Sequence, residues 1–109
     1  MKIAIPIKEK SIKSSINDSF GRAPYFLIYS TVTKESVFLD NRAVAEQGGA
    51  GIRAAQVIAD NGVRALITNR CGENAEKLFR NAEVFVYEAK EGNAEQNINY
   101  LIENKLSLL

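Results

Sequence analysis

The sequence predicts an α/β domain built on a five-stranded mixed sheet, and three observations carry that prediction. Alternating apolar residues and β-branched or aromatic runs dominate the first forty residues, which is typical of strands. From about residue 50 onward, apolar residues at helical spacing alternate with short apolar runs, which indicates helices between buried strands. A length of 109 residues with 46% hydrophobic and 25% charged residues fits one globular domain, 1–109. The predicted order is β-β-β-α-β-α-β-α, with helices on both faces of the sheet.

Three strands are predicted before the first helix. Lys2–Ile7 places its isoleucines at alternate positions and therefore on one face. Tyr25–Thr31 and Glu35–Asp40 are rich in aromatic and β-branched residues, and their short connection predicts an antiparallel hairpin. The polar stretch Lys8–Ser19 and the charged stretch Asn41–Gly49 are expected to be irregular.

The remaining elements are predicted from changes of period. A helix begins at Ala50, and Asn61-Gly62 ends it with a left-handed cap. Because parallel strands need a helical crossover, the strands separated by helices are expected to pair in parallel. The other predicted elements are a strand over Val63–Thr68, an amphipathic helix through Ala75–Ala82, a strand over Glu83–Tyr87, and a last helix from Ala94 to near Asn104 or Lys105.

Composition excludes several classes of function. Fourteen basic and thirteen acidic residues leave a net charge of +1, which gives no support for nucleic-acid or membrane-surface binding. The chain has no histidine, so catalytic schemes and zinc sites that need an imidazole are excluded. Strand residues Ile3–Ile7 carry no carboxylate, which argues against metal-dependent hydrolysis. We expect no membrane span and no signal peptide, and a single cysteine suggests the cytoplasm.

Two glycine-containing segments suggest a pocket for an anion. Phe20-Gly21-Arg22 places a flexible residue and a cation before a strand, and Gly48-Gly49-Ala50-Gly51 opens a helix. The second segment lacks the Gly-Lys-Ser/Thr ending of a Walker motif, and taken alone its simplest interpretation is a flexible helix entry. The loops after the first and fifth strands and the Asn69–Gly72 turn are expected to share the carboxyl edge of the sheet.

Cys71 lies between a buried strand and a helix, with Arg70 beside it. A helix N-terminus and a neighbouring cation would lower the pKa of its thiol, which predicts a soft metal ligand or a reactive thiol. The alternative is a partly buried small residue, as free cysteines often are. Asn74 has a similar pair of interpretations, a ligand contact or a helix cap.

Several of these segments, taken together, resemble the dinitrogenase iron–molybdenum cofactor biosynthesis proteins. These are NifX-like carriers that also occur as a domain of the cofactor-assembly enzyme NifB. The likeness runs from Met1 to about Tyr87. The segments that carry it are Phe20–Phe26, which is the most specific, the glycine-led helix Gly48–Gln56, Asn61-Gly62-Val63, Cys71–Ala75 and Leu78.

The resemblance implies a ribonuclease H-like three-layer fold without nuclease activity. It also implies a non-enzymatic protein that binds or hands on an iron–sulfur or iron–molybdenum-type cluster to cluster-assembly proteins, as a monomer or weak homodimer. Cys71 would be the metal ligand, and the implied contacts to the cluster are Phe20, Gly21, Arg22, Gly48, Gly49, Gly51, Gly72 and Asn74. Two rival hypotheses stay open: a protein-interaction module without cofactor, recognised through 8–19 and 42–47, and a degenerate enzyme using Cys71 as a redox thiol.

Overall fold

A computed structural model describes all 109 residues and contains five strands and four helices. The strands are β1 (Lys2–Ile7), β2 (Tyr25–Ser30), β3 (Ser36–Asp40), β4 (Val63–Thr68) and β5 (Phe85–Glu88). The helices are α1 (Arg42–Ala45), α2 (Ala50–Asp60), α3 (Glu73–Asn81) and α4 (Ala94–Ile102).

The five strands form one mixed sheet in the order β3-β2-β1-β4-β5. β1, β2 and β3 pair antiparallel, as the short β2–β3 connection predicts. β4 lies parallel to both β1 and β5, as the helical crossovers require. The predicted five-stranded mixed sheet is therefore confirmed, and the carboxyl ends of β1 and β4 lie at the same edge.

Two apolar layers sandwich the sheet, because successive side chains of a strand point to opposite faces. The isoleucines of β1 (Ile3, Ile5 and Ile7) pack with Ile98 and Leu101 of α4. The opposite layer contains α2, α3 and the even-numbered residues of β1 and β2. At 11 residues α2 is the longest helix, and no helix combines the length and apolar character that crossing a membrane requires.

The structure departs from the predicted elements in three places. β5 begins at Phe85 rather than at Glu83, because Glu83 adopts a left-handed backbone with φ of 60°. The stretch 41–49, expected to be irregular, contains the one-turn helix α1, which is too short to show a periodic pattern. The last helix ends at Ile102 rather than near Asn104, because Asn104 adopts a left-handed backbone with φ of 59°. Its start is well defined, since Asn93 and Gln96 form a reciprocal capping box.

A close backbone contact attaches the segment before β2 to the start of α2. A Cβ atom on Gly21 would lie 2.6 Å from both the Cα and the N of Gly51, so only glycine allows this approach. Asn41, which is buried, reinforces it by donating from Nδ2 to the carbonyl oxygens of Gly21 (3.2 Å) and Ala23 (2.9 Å). Residues 20–24 are thus held against the β3–α2 connection.

Phe20 anchors the same segment from the other side. Its ring is 97% buried and lies 5.1 Å from the ring of Phe26 and 5.4 Å from that of Phe79, nearly edge-on to the latter. Burying such a ring stabilises the fold by about 1.5–3 kcal/mol. The contact therefore connects the segment before β2 to both the sheet and α3.

We expect Gly21→Ala to lower the free energy of unfolding by about 1–3 kcal/mol, because the new methyl group would overlap the backbone of Gly51. Gly48→Ala is the matched control, since a Cβ there meets no atom within 4 Å. Urea unfolding monitored by circular dichroism measures both. Equal stability of the two variants would contradict the packing role assigned to Gly21.

Candidate functional site

The carboxyl edge of β1 and β4 carries an open cleft of about 580 Å³, a volume typical of small-molecule sites. The topology explains this position. α2 precedes β4 in the chain and α3 follows it, so α2 begins and β4 ends at this edge, and α3 begins there too. The cleft lies between the segment before β2, the turn after β4, and these two helix starts. Its lining residues are Asp18, Ser19, Phe20, Gly21, Arg22, Gly49, Ala50, Gly51, Ile52, Arg70, Gly72, Glu73, Asn74 and Ala75.

Two helix N-termini open into the cleft without side-chain caps. The residues preceding α2 and α3 are Gly49 and Gly72, neither of which can supply a capping side chain. The first three N–H groups of each helix, at 50–52 and 73–75, make no hydrogen bond within the protein. Such groups carry the partial positive charge of the helix dipole. Because residues 50–52 and 73–75 all line the cleft, their unbonded N–H groups favour an anion there.

Two glycines that line the cleft, Gly51 and Gly72, have backbone conformations that do not require glycine. Gly51 is helical and Gly72 is extended with φ of −64°, so any residue could adopt either conformation. A Cβ on Gly51 or Gly72 would meet no protein atom within 4 Å. Gly49 differs, because its φ of 71° lies in the left-handed region, which favours glycine. Side chains at Gly51 and Gly72 would thus leave the fold intact while narrowing the cleft.

The charged side chains around the cleft cancel one another. The cleft is lined by two basic residues, Arg22 and Arg70, and by two acidic residues, Asp18 and Glu73, and all four are exposed. Asp18 accepts a hydrogen bond from Nδ2 of Asn69 at 3.1 Å, whereas the Arg70 side chain has no partner within the protein. Any preference for an anion therefore comes from the backbone N–H groups and from the free guanidinium of Arg70.

Arg22 has structural partners that the sequence did not suggest. Its Nη1 donates to the carbonyl oxygen of Ala45, at the end of α1, and to that of Gln47 at 3.2 Å. The guanidinium consequently attaches the cleft wall to the α1–α2 connection. Its Nε and Nη2 have no acceptor within the protein.

The predicted activation of Cys71 is wrong. The thiol is half-buried and packs beside the α2–α3 core rather than lining the cleft. Burial, and then the negative charge of Glu76, raise the pKa of the Cys71 thiol to about 11. Desolvation of the thiolate is the larger of the two causes, and the neighbouring Arg70 lines the cleft.

The structure brings most of the predicted cluster contacts together. Phe20, Gly21, Arg22, Gly49, Gly51, Gly72 and Asn74 line the cleft, whereas Gly48 and Cys71 do not. The loop after β5 reaches this edge but pairs instead with 14–15 on the α4 side, through the bridge between Ser15 and Asn93. Asn74 is the second residue of α3 and caps nothing.

Sequence reasoning missed Arg70 as a lining residue and treated it only as a neighbour of the cysteine. The position of Arg70 could have indicated this role, because the residue lies two residues after the end of a buried parallel strand. The chain has no group of three or more Cys, Asp or Glu side chains arranged to hold a metal ion. The cleft can therefore hold an anion by hydrogen bonds and charge, but it offers no set of side chains to coordinate a bare metal.

Comparison with known proteins identifies relatives along nearly the whole chain. The family model described as "Dinitrogenase iron-molybdenum cofactor" matches residues 1–104. An uncharacterised protein of Methanocaldococcus jannaschii is 30% identical over 109 residues, with 97% of this chain and 89% of that protein covered.

Two solved structures share the fold. The apo form of the orange protein from Desulfovibrio gigas superposes with a TM-score of 0.93 at 25% identity, covering 99% of this chain and 92% of that one. A Thermotoga protein described as a candidate NifB protein of the DUF35 family gives 0.87 at 32% identity, with the same coverage of 99% and 92%. These likenesses agree with the predicted family and fold.

The raised pKa of Cys71 predicts slow alkylation. At pH 8 we expect iodoacetamide to modify the thiol at least about tenfold more slowly than a free cysteine, because less thiolate is present and its greater nucleophilicity offsets only part of the loss. The alkylation rate should rise as pH approaches 11. The free energy of unfolding should fall as pH rises from about 9, the pKa of the unfolded thiol, to about 11, because in this range the folded thiol is still protonated and the unfolded thiol is not. The same chain unfolded in urea is the control. A native rate equal to the unfolded rate would contradict this assignment.

Proposed function

This chain belongs to the dinitrogenase iron–molybdenum cofactor family, and from that premise we propose that it is a non-catalytic carrier of an anionic iron–sulfur or iron–molybdenum-type cluster. In this role it would take the cluster from one assembly protein and pass it to another, in the cytoplasm. The single observation that carries the proposal is the cleft where two uncapped helix starts present their free N–H groups.

The chemistry of such a cluster suits that arrangement. Bridging and terminal sulfides carry negative charge and accept hydrogen bonds, which tune and stabilise clusters in proteins. The six unbonded N–H groups at the starts of α2 and α3 belong to residues that line one cleft, and Arg70 adds a positive charge without a competing partner. Gly51 and Gly72 let the sulfides approach the backbone closely, because neither carries a side chain between helix and cleft.

The proposed mode of holding is through hydrogen bonds to the outside of the cluster. The chain lacks a set of three metal-ligating side chains, and the Cys71 thiol lies outside the cleft with a raised pKa. A cluster with its own complete set of sulfide or thiolate ligands would therefore enter intact, and release would break no coordinate bond to the protein. This property suits a carrier better than an enzyme.

The first test is metal and sulfide analysis of protein purified without oxygen, followed by titration with a synthetic [4Fe–4S] cluster bearing thiolate ligands. We expect cluster retained on gel filtration at about one per chain. Gly51→Leu should weaken retention about tenfold or more, because its side chain would project into the cleft. Gly48→Leu is the matched control, since position 48 is also open but lies outside the cleft. Colourless, iron-free protein that retains no cluster would refute the proposal.

Charge gives a second, independent prediction. Arg70→Gln should weaken cluster binding about two- to fivefold at low salt, and the difference should shrink as ionic strength rises, because an exposed charge is screened. Arg64→Gln serves as the control, because Arg64 lies in the second position of β4, away from the cleft, facing Glu83 at 4.0 Å. The same titration measures the cluster affinity of both variants. It is run at about 50 and about 500 mM salt, where the screening of exposed charges is weak and strong respectively. Equal affinities in the two variants would exclude Arg70 from the site.

A further inference from the structure

The α1–α2 connection is defined here as residues 45–49, which include the last residue of α1. Before it, the start of α1 is held tightly: the N–H of Arg42 donates to Oδ1 of Asp40 at 3.0 Å and the N–H of Asn41 donates to the carbonyl oxygen of Pro24 at 2.8 Å. The connection itself is exposed over 46–49. Its carbonyl groups at Ala45 and Gln47 are held by one side chain, that of Arg22.

Arg22 faces two directions at once. It lines the cleft, yet Nη1 supplies both hydrogen bonds to the connection. A guanidinium carries five N–H donors in a rigid plane, so three of them, on Nε and Nη2, remain free for a ligand. Both sets can be occupied together, because they belong to different nitrogen atoms of the same planar group.

From this geometry we propose that Arg22 bridges the bound cluster and the α1–α2 connection, so that filling the cleft orders residues 45–49. This inference rests on the proposed function, and it adds a structural consequence of loading. A ligand on Nη2 or Nε fixes the guanidinium plane, and a fixed plane holds the two carbonyl oxygens more firmly. By linkage, the ordered connection strengthens binding to the same extent that binding orders the connection.

The consequence is an exposed segment whose mobility reports whether the cleft is occupied. Glu46, Gln47, Gly48 and Gly49 lie on the surface, and Gly49 also lines the cleft. A recipient protein that contacts this segment would bind an ordered segment in the loaded carrier and a mobile one in the empty carrier. Discrimination between the two states then needs no movement of the sheet or of the long helices.

Amide hydrogen exchange on the full chain, with and without the synthetic [4Fe–4S] cluster, tests the inference. Ala45 and Gln47 are the informative amides, because their N–H groups donate to Asn41 and Val44 across α1. We expect loading to slow exchange in peptides covering 41–49 by about fivefold or more, the lower end of typical coupling between sites. Cluster retention is measured on the same samples, by absorbance after gel filtration.

Two variants separate bridging from a general gain in stability. Arg22→Lys keeps the positive charge but has a single donor nitrogen, so it should lose the cluster-dependent slowing and, by the same linkage, bind the cluster about fivefold more weakly. Exchange in this variant is therefore measured at a cluster concentration that saturates it. Arg53→Lys is the matched control: Arg53 also contacts the connection, through Nη1 to Oε1 of Gln47 at 2.6 Å, but it does not line the cleft. It should preserve the slowing. Circular dichroism checks that both variants are folded.

The outcomes distinguish this inference from the proposed function. Retained cluster with unchanged exchange over 41–49 would overturn the bridge and leave the carrier function standing. Retained cluster with equal slowing in wild type and Arg22→Lys would also overturn it, because the slowing would not depend on the two-sided guanidinium. Absence of retention would overturn both proposals together.

Discussion

The architecture of the cleft depends on one backbone contact, that between Gly21 and Gly51. Because a Cβ on Gly21 would overlap the Cα and N of Gly51, the contact brings two chain segments closer than side chains would allow. It sets the distance between the segment before β2 and the first turn of α2. Phe20, packed between Phe26 and Phe79, and Asn41 then hold that segment in place. The open space that remains is bounded by these contacts.

The glycines of this chain consequently have two different roles. Gly21 is required by packing, and Gly49 is favoured by its left-handed backbone, so both are explained without reference to a ligand. Gly51 and Gly72 are required by neither. Gly51 is the second residue of α2, where neither packing nor backbone conformation calls for glycine, so the open cleft is the feature that accounts for the missing side chain.

Much of the fold was predictable because its elements are long enough to show a period. The isoleucines of β1, the apolar run of β4 and the stripe of α3 each determine an element and a face. The shared carboxyl edge then follows from parallel pairing. The four-residue α1 shows no period, and the partners of Arg22 depend on it, so neither could be anticipated. The prediction of a lowered Cys71 pKa was wrong for a related reason. Its sequence neighbours favour a lowered pKa, whereas burial against α2 and α3 raises the pKa.

Because the starts of α2 and α3 are uncapped, the free energy of unfolding of this protein depends on whether a ligand occupies the cleft. Donors that no side chain satisfies can be satisfied only by solvent or by a ligand in the folded state, and the unfolded chain offers no such paired helix starts. A ligand that binds only the folded form adds about 2.7 kcal/mol of stability at a hundred times its dissociation constant. Loaded and empty molecules in one cell would thus unfold, and be degraded, at different rates, so the supply of ligand would influence how long each molecule persists.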